Sequence, residues 1–505
     1  MCYLRFDKAQ MTNLQESLYK EMLITNRSGA YCSTTLVGCN IRKYDGLLVI
    51  PVPELDDENH VLLSSLDETI IQHGAEFNLG IHKYQGENYS PKGHKYIVSF
   101  EWEQVPTWTY RVGGVILKKE LAFDTRIFRL YIRYTLLEAH SATTLRLRPF
   151  LAFRSVRQWT HENSTANRSY DEVPNGIRMC LYQGYPDLYM QTSKESEWHY
   201  CPDWYRGLDY PKERERGYNA SEDLLVPGYF EMPIKKGETI TFSAGVGEID
   251  PDRINEFLQN EIESIDHRDS FYHCLVNAAH QFRVNKDGES YILAGYPWFK
   301  ARARDTFIAM PGLTLAIGEN ERFEAYMSTA TKAIYNLIHK EPMSVEIYEM
   351  EQPDTLLWAT WTIQQYAKYT SRKKCYEKYG KLFKDIMDYI TNGQHPNLFL
   401  HENGLLYSNG RDRAITWMNS QSDGRPIVPR SGYIVEFNAL WYNALKFFEQ
   451  LIEENGQEEY ESLKIRVQKE AEKMARSFKE VFLNEYGYLL DYVDGQMMDW
   501  SERPN

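Results

Sequence analysis

"DPDRINEFLQNEIESIDHR", Asp250 to Arg268, is the stretch in which the apolar period of this 505-residue chain changes. An Asp-Pro start is followed by Ile254, Phe257, Leu258, Ile262 and Ile265 at helical spacing, so a helix is expected here. Upstream, from about Ser33 to Ala244, apolar residues recur at every second position in short segments, as antiparallel strands require. In "IFRLYIRYTL", Phe128, Leu130, Ile132 and Tyr134 share one face, and Arg129 and Arg133 share the other. "TTLRLRPFLAF" repeats the pattern, with Leu145 and Leu147 against Arg146 and Arg148. Such strands predict a β-sandwich, its arginine faces solvated or turned to a partner. Downstream, seven helices are expected, at about residues 269–284, 305–317, 321–338, 354–369, 373–390, 435–452 and 459–482. The fold class expected is therefore multidomain, β followed by α: a β-sandwich over 1–248, a linker helix over 249–267, and a helical domain over 268–505. Within the first of these, residues 154–229 are polar and rich in Tyr and Trp, and read as a long ordered loop.

Composition narrows the function. The formal net charge is −14 and no run of Lys and Arg is long enough to follow a phosphate backbone, which excludes a nucleic-acid partner. No stretch of about 18 apolar residues and no signal-peptide pattern occurs, so a cytoplasmic protein without a membrane contact is expected. Seven scattered cysteines without a C-x-x-C pair fit a reducing compartment and neither a disulfide framework nor a zinc site. Phosphate-binding glycine loops, H-E-x-x-H and G-x-S-x-G are all missing from the sequence, so no metal, nucleotide or other cofactor is called for. Oligomeric state is not legible.

What the chain does carry is acids, arginines and aromatics gathered where loops run into helices. In "YPWFKARARDTF", Trp298 and Phe299 offer flat faces to the apolar side of a sugar ring, while Arg304 and Asp305 can bind its hydroxyls. Asp305 also stands where a helix begins, so its carboxylate can instead serve as a cap. "PDTLLWATWTIQQY" opens a helix at Asp354 and puts Trp358 and Trp361 within one turn, a spacing equally suited to a core. "TWMNSQSDGRPIVPRSGYIVEFNALWYNAL" gathers Trp417, Asn419, Asp423, Arg430, Glu436, Asn438 and Trp441 around a Gly/Pro loop that feeds a helix near Glu436. A carboxylate beside tryptophan is held protonated near neutrality, which suits a general acid.

These motifs, with "TNRSGAYCSTTLVGCNIRKYDGLLV", "LLSSLDETI", "ERERG" and "EDLLVPGYF", occur in an order that resembles the bacterial and archaeal glycogen debranching enzymes, the amylo-α-1,6-glucosidase family. The resemblance runs over nearly the whole chain. It implies an (α/α)6 toroid after the sandwich and inverting, cofactor-free hydrolysis of a single α-1,6-linked glucose on a trimmed glucan such as glycogen or a limit dextrin. Inversion takes a carboxylic acid and a carboxylate about 6.5–9.5 Å apart. The family's acid in "TWMD" falls on Asn419, where an amide stands, and Asp423 is the nearest carboxylate. Its Tyr-His-Gly falls on Tyr44-Asp45-Gly46. Seven helices fall short of the twelve in a closed toroid, so the C-terminal part of the ring is expected to be missing. The candidate catalytic residues are Asn419, Asp423 and Glu436. The candidate sugar-binding residues are Trp298, Arg304, Asp305, Asp354, Trp358, Trp417, Arg430, Asn438 and Trp441. Alternatives are a glucan-binding homologue with impaired catalysis and another (α/α)6 glycoside hydrolase such as a glucoamylase.

Overall fold

The computed structural model describes residues 2–455 and 461–503. The expected start of the last helix, at 459 and 460, and the end of the expected helical domain, at 504 and 505, lie outside the described residues. The chain forms two compact units, Met1–Val284 and Asn285–Asn505.

In the first unit, nine strands form one antiparallel sheet and ten form another. The alternation in Arg129–Glu138 explains their stacking: Leu130, Ile132, Tyr134 and Leu136 join Leu145 and Leu147 in one buried cluster. Pairing with Thr239–Val246 runs from Arg129 opposite Gly245 to Thr135 opposite Thr239, so the inward residues of both strands stay in step.

The opposite face of Arg129–Glu138, expected to be solvated or turned to a partner, is packed under a helix of the chain itself. Helix α1 (Ile254–Glu263) covers it, packing Ile254, Leu258 and Ile262 on Val105, Ala122 and Tyr131. Burying each of those aliphatic side chains stabilises by about 1.5–3 kcal/mol. Arg129 is consequently buried, with Nη1 donating to Ser243 Oγ at 2.7 Å, and Arg133 pairs with Glu120 at 2.8 Å. The helix expected as a linker thus belongs to the first unit, as does α2 (Phe271–Gln281), whose N-cap is Ser270.

The stretch expected as a loop, 154–229, is nearly half strand. Asp171–Val173, Gly176–Met179, Leu188–Thr192, Glu197–Asp209 and the start of Ser221–Ile234 lie within it. Its tyrosines and tryptophans are strand formers, but their neighbours are polar and half exposed, so no apolar face of period two is visible in the sequence.

Asp45 shows how polar this core is. Its carboxyl accepts from Ile41 N at 2.8 Å, Arg42 N at 2.9 Å and Ser33 Oγ at 2.9 Å, yet burial pushes it up from the ordinary 3.8 to about 7. The folded state therefore holds a proton that the unfolded chain releases. The resulting stability is complete below the ordinary value and is lost as pH rises through about 7. Urea titrations should show the wild type losing stability between pH 5 and pH 8 relative to Asp45→Asn; parallel curves would exclude this role.

The second unit contains six long helices among the described residues: α3 (Ala303–Leu313), α4 (Asn320–His339), α5 (Thr355–Tyr369), α6 (Arg372–Thr391), α7 (Val435–Asn455) and α8 (Glu461–Phe482). With α2, all seven expected helices are present. The turn between α5 and α6 is set by Ser371, whose side chain caps α6 by accepting from Lys374 N at 3.1 Å. A small sheet made of Phe399–Leu400, Leu406–Ser408, Gly432–Ile434, Tyr492–Asp494 and Met497–Met498 ties the segment entering α7 to the segment after α8. Gly432 permits this: its φ is +94°, and a Cβ there would lie 2.2 Å from Val493 O. No helix among the described residues is long and apolar enough to cross a membrane.

Candidate active site

Two ion-pair clusters organise the motifs of the second unit. The first is built on a pair of backbone bonds: Ala303 N donates to Tyr348 O and Tyr348 N to Ala301 O, both at 2.9 Å. They bring the start of α3 alongside the segment that enters α5. Arg304 then meets Asp354 edge-on, Nε to Oδ2 at 2.6 Å and Nη2 to Oδ1 at 2.9 Å. Trp358, one turn into α5, donates its indole N–H to Asp354 Oδ2 at 3.2 Å. Both ionic side chains are nearly buried, at 11 and 3% exposure, which makes this a shielded, oriented pair. Burial opposes the Arg304 charge, and Asp354 outweighs it, so the guanidinium is held above its usual range. Arg304 Nη2 also reaches Ile415 O at 3.4 Å, which docks the loop of Trp417 against this pair.

The partner of Arg304 is thus Asp354, fifty residues on, and not the adjacent Asp305. Asp305 is exposed in the first turn of α3. Trp298 and Phe299 are exposed on the loop before α3, and the Arg302 guanidinium lies over the Phe299 ring at 4.5 Å. Trp358 and Trp361 meet edge to face, 5.6 Å between centroids, and both are half-buried.

The second cluster is centred on Arg430, which is 1% exposed. Its Nε and Nη2 grip Asp491 at 2.9 and 2.8 Å, while Nη1 and Nη2 grip both oxygens of Glu436, the latter at 2.6 Å. Arg503 closes the array, Nη1 to Asp491 Oδ2 at 2.5 Å and to Asp499 Oδ2 at 2.7 Å. Glu436, in the first turn of α7, therefore sits in an ionic setting rather than against the tryptophan expected beside it.

That tryptophan, Trp441, is 1% exposed and belongs to the core. Nor can Asn438 touch a sugar. It is fully buried, accepts from Leu406 N at 2.8 Å and donates to Leu406 O and Ile434 O at 3.0 Å. Both are packing and pinning residues, and the helical spacing that placed them one turn from Glu436 is also that of the inward face of α7. Asn438→Ala should lower the free energy of unfolding by roughly 2–4 kcal/mol, because three buried backbone groups lose their partner. A loss under about 0.5 kcal/mol in urea would refute the pin.

Asn419 and Asp423 are exposed on the loop before Arg430, as is Trp417. Asp423 and Gly424 form the two-residue tip of a hairpin between Gln421–Ser422 and Arg425–Pro426, at φ +49° and +76°. Asp-Gly is the pair such a turn selects, so the sequence alone accounts for Asp423 at that place. Asp491 escaped the sequence reading. Its one signal is an acid inside an apolar run, "YLLDYV", where burial demands a cation. Among the described residues no group of His, Cys, Asp and Glu is arranged to hold a metal ion.

Residues 20–241 match the family model described as glycogen debranching enzyme N terminal, and residues 275–505 match that described as amylo-alpha-1,6-glucosidase. No curated protein matches the chain. Among solved structures, a bacterial glucoamylase complexed with acarbose matches at 10% identity and TM-score 0.47, over 94% of this chain and 69% of its own. An inverting mannosidase of family GH92 from Bacteroides thetaiotaomicron matches at 10% identity and TM-score 0.36, over 95% of this chain and 65% of its own.

Proposed function

Because the chain belongs to the glycogen debranching enzyme family, spanning its N-terminal and amylo-α-1,6-glucosidase parts, we propose that it is a glycoside hydrolase acting on branched α-glucan. The reaction is hydrolysis of a single α-1,6-linked glucose with inversion, and the substrate is glycogen or a limit dextrin of the cytoplasm. The observation that carries this reading is the shielded Arg304–Asp354 pair with Trp358, against which the Trp417 loop is docked. An oriented guanidinium and carboxylate beside exposed indoles match the polar rim and apolar face of a pyranose. Trp298, Asp305 and Trp417 complete the grip. Asp354 orients Arg304, and Glu436, fixed by Arg430, is the candidate base that activates water. Asn419 stands at the family's acid position with no proton to give, so protonation of the leaving oxygen falls back on Asp423, the nearest carboxylate, as a weaker stand-in.

A second reading, binding without turnover, is favoured by that amide and by the place of Asp423 on an exposed hairpin tip. The two separate in one assay of glucose released from a dextrin with single α-1,6-linked stubs, run beside dextrin binding by the same sample. Release as the β-anomer supports hydrolysis. Binding without release supports the second reading, and faster release from linear α-1,4 chains than from the stubs would refute the debranching assignment in favour of a glucoamylase activity. Arg304→Lys keeps the charge and loses the fork, so kcat/KM on the stubs should fall more than about tenfold, ~1.4 kcal/mol.

A further inference from the structure

We propose that the first unit carries a binding site for a small hydroxylated oxyanion, built on Arg268 in a cleft between the strand end at Trp102–Gln104 and the segment joining α1 to α2. The cleft encloses a cavity of about 110 Å³ lined on its apolar side by residues such as Phe123, and Arg268, Trp102, Gln104, Asp266 and Gln281 line it as well. Its lining residues belong to the first unit and are not among the glucosidase motifs, and it does not depend on the proposed activity.

Arg268 carries the inference. Its residue is only 7% exposed, yet among the described residues it has no carboxylate partner. Buried arginines are ordinarily paired, because an uncompensated charge away from water is costly. The guanidinium is held in place from one side: Nη1 donates to Gln104 O at 2.7 Å and Glu103 O at 3.4 Å, and Cζ lies over the Trp102 ring, 4.8 Å from its centroid. Its main chain is tied as well, N to Glu103 O at 2.9 Å and O from Tyr3 N at 3.2 Å. Those are the guanidinium's hydrogen bonds among the described residues, so the edge formed by Nε and Nη2 is unengaged. That edge is the fork that takes a carboxylate or phosphate with two parallel bonds. Burial draws the arginine down to about 10.

The remainder of the wall selects hydroxyls. Asp266 lines the cavity as an exposed acceptor. A bare anion offers Asp266 no donor and meets it repulsively. An oxyanion carrying hydroxyl groups, a sugar phosphate or a polyhydroxy acid, offers donors to Asp266 and a doubly bonded head to Arg268.

Calorimetric titration of the full chain with glucose 6-phosphate, gluconate, inorganic phosphate and glucose tests this. One site with Kd of about 1 mM or tighter is expected for glucose 6-phosphate or gluconate, with inorganic phosphate at least about tenfold weaker and glucose not binding there. Which of the two hydroxylated anions binds tighter tells whether phosphate or carboxylate is the head. Arg268→Lys should weaken binding at least about tenfold. Gln281→Glu, which leaves Arg268 intact and adds a negative charge to the wall, should weaken it too. Absence of binding by folded wild type up to about 10 mM, or binding unchanged in both variants, would overturn the proposal.

Discussion

Asn419→Asp is expected to raise the initial rate of glucose release from α-1,6-stubbed dextrin by about 10²- to 10⁴-fold, the usual worth of a positioned general acid. Asn and Asp differ here by one ionisable oxygen. Asn419 is exposed, so the new carboxyl enters at no cost to folding. The leaving oxygen of a glycoside is a poor base and departs readily only when protonated, which an amide cannot do. The comparison is made with Asn419→Gln, which changes length without adding an acid. An unchanged rate in Asn419→Asp, with Asp423→Asn inactive, would assign the acid to Asp423 and remove Asn419 from the chemistry.

Arg430→Met should cost about 3–5 kcal/mol of stability, read as a drop in urea midpoint at constant slope. Arg430 stands between Glu436 and Asp491, whose side chains are 12 and 0% exposed. Removing the guanidinium leaves two carboxylates facing one another in a shielded site, with Arg503 engaged by Asp491 and Asp499. Arg430→Met/Asp491→Asn should recover part of the loss, since one of the orphaned charges is then gone. A single-variant loss below about 1 kcal/mol would mean that water reaches the cluster and that Glu436 is not held by it.

The sequence made some of this legible and hid the rest for physical reasons. Period two around Leu130 and Ile132 and helical spacing around Leu258 each report a buried face, which is why the two-part fold and its seven helices could be read. What a face is buried against is not local information. Nothing near Arg129 or Arg133 says that α1 lies over them, so they read as solvated or turned to a partner. Likewise Arg304 and Asp354 were both identifiable as candidates, but their pairing depends on the backbone bonds between Ala301, Ala303 and Tyr348. Asp491, sixty-one residues from Arg430, is brought beside it by the small sheet that contains Gly432 and Tyr492. Asn438 and Trp441 misled because a polar or aromatic residue one turn from a candidate acid serves core packing as readily as a ligand.

The most direct test of the central claim is free glucose released by the purified chain from a dextrin bearing single α-1,6-linked glucose stubs, with Asp354→Asn as the paired control. Asp354 is placed to orient Arg304 and Trp358 without itself passing a proton. Release by the wild type that falls at least about tenfold in the control, the fold being unchanged, is the predicted result. Equal release by both would contradict the account, since the grip on the terminal sugar would then lie elsewhere.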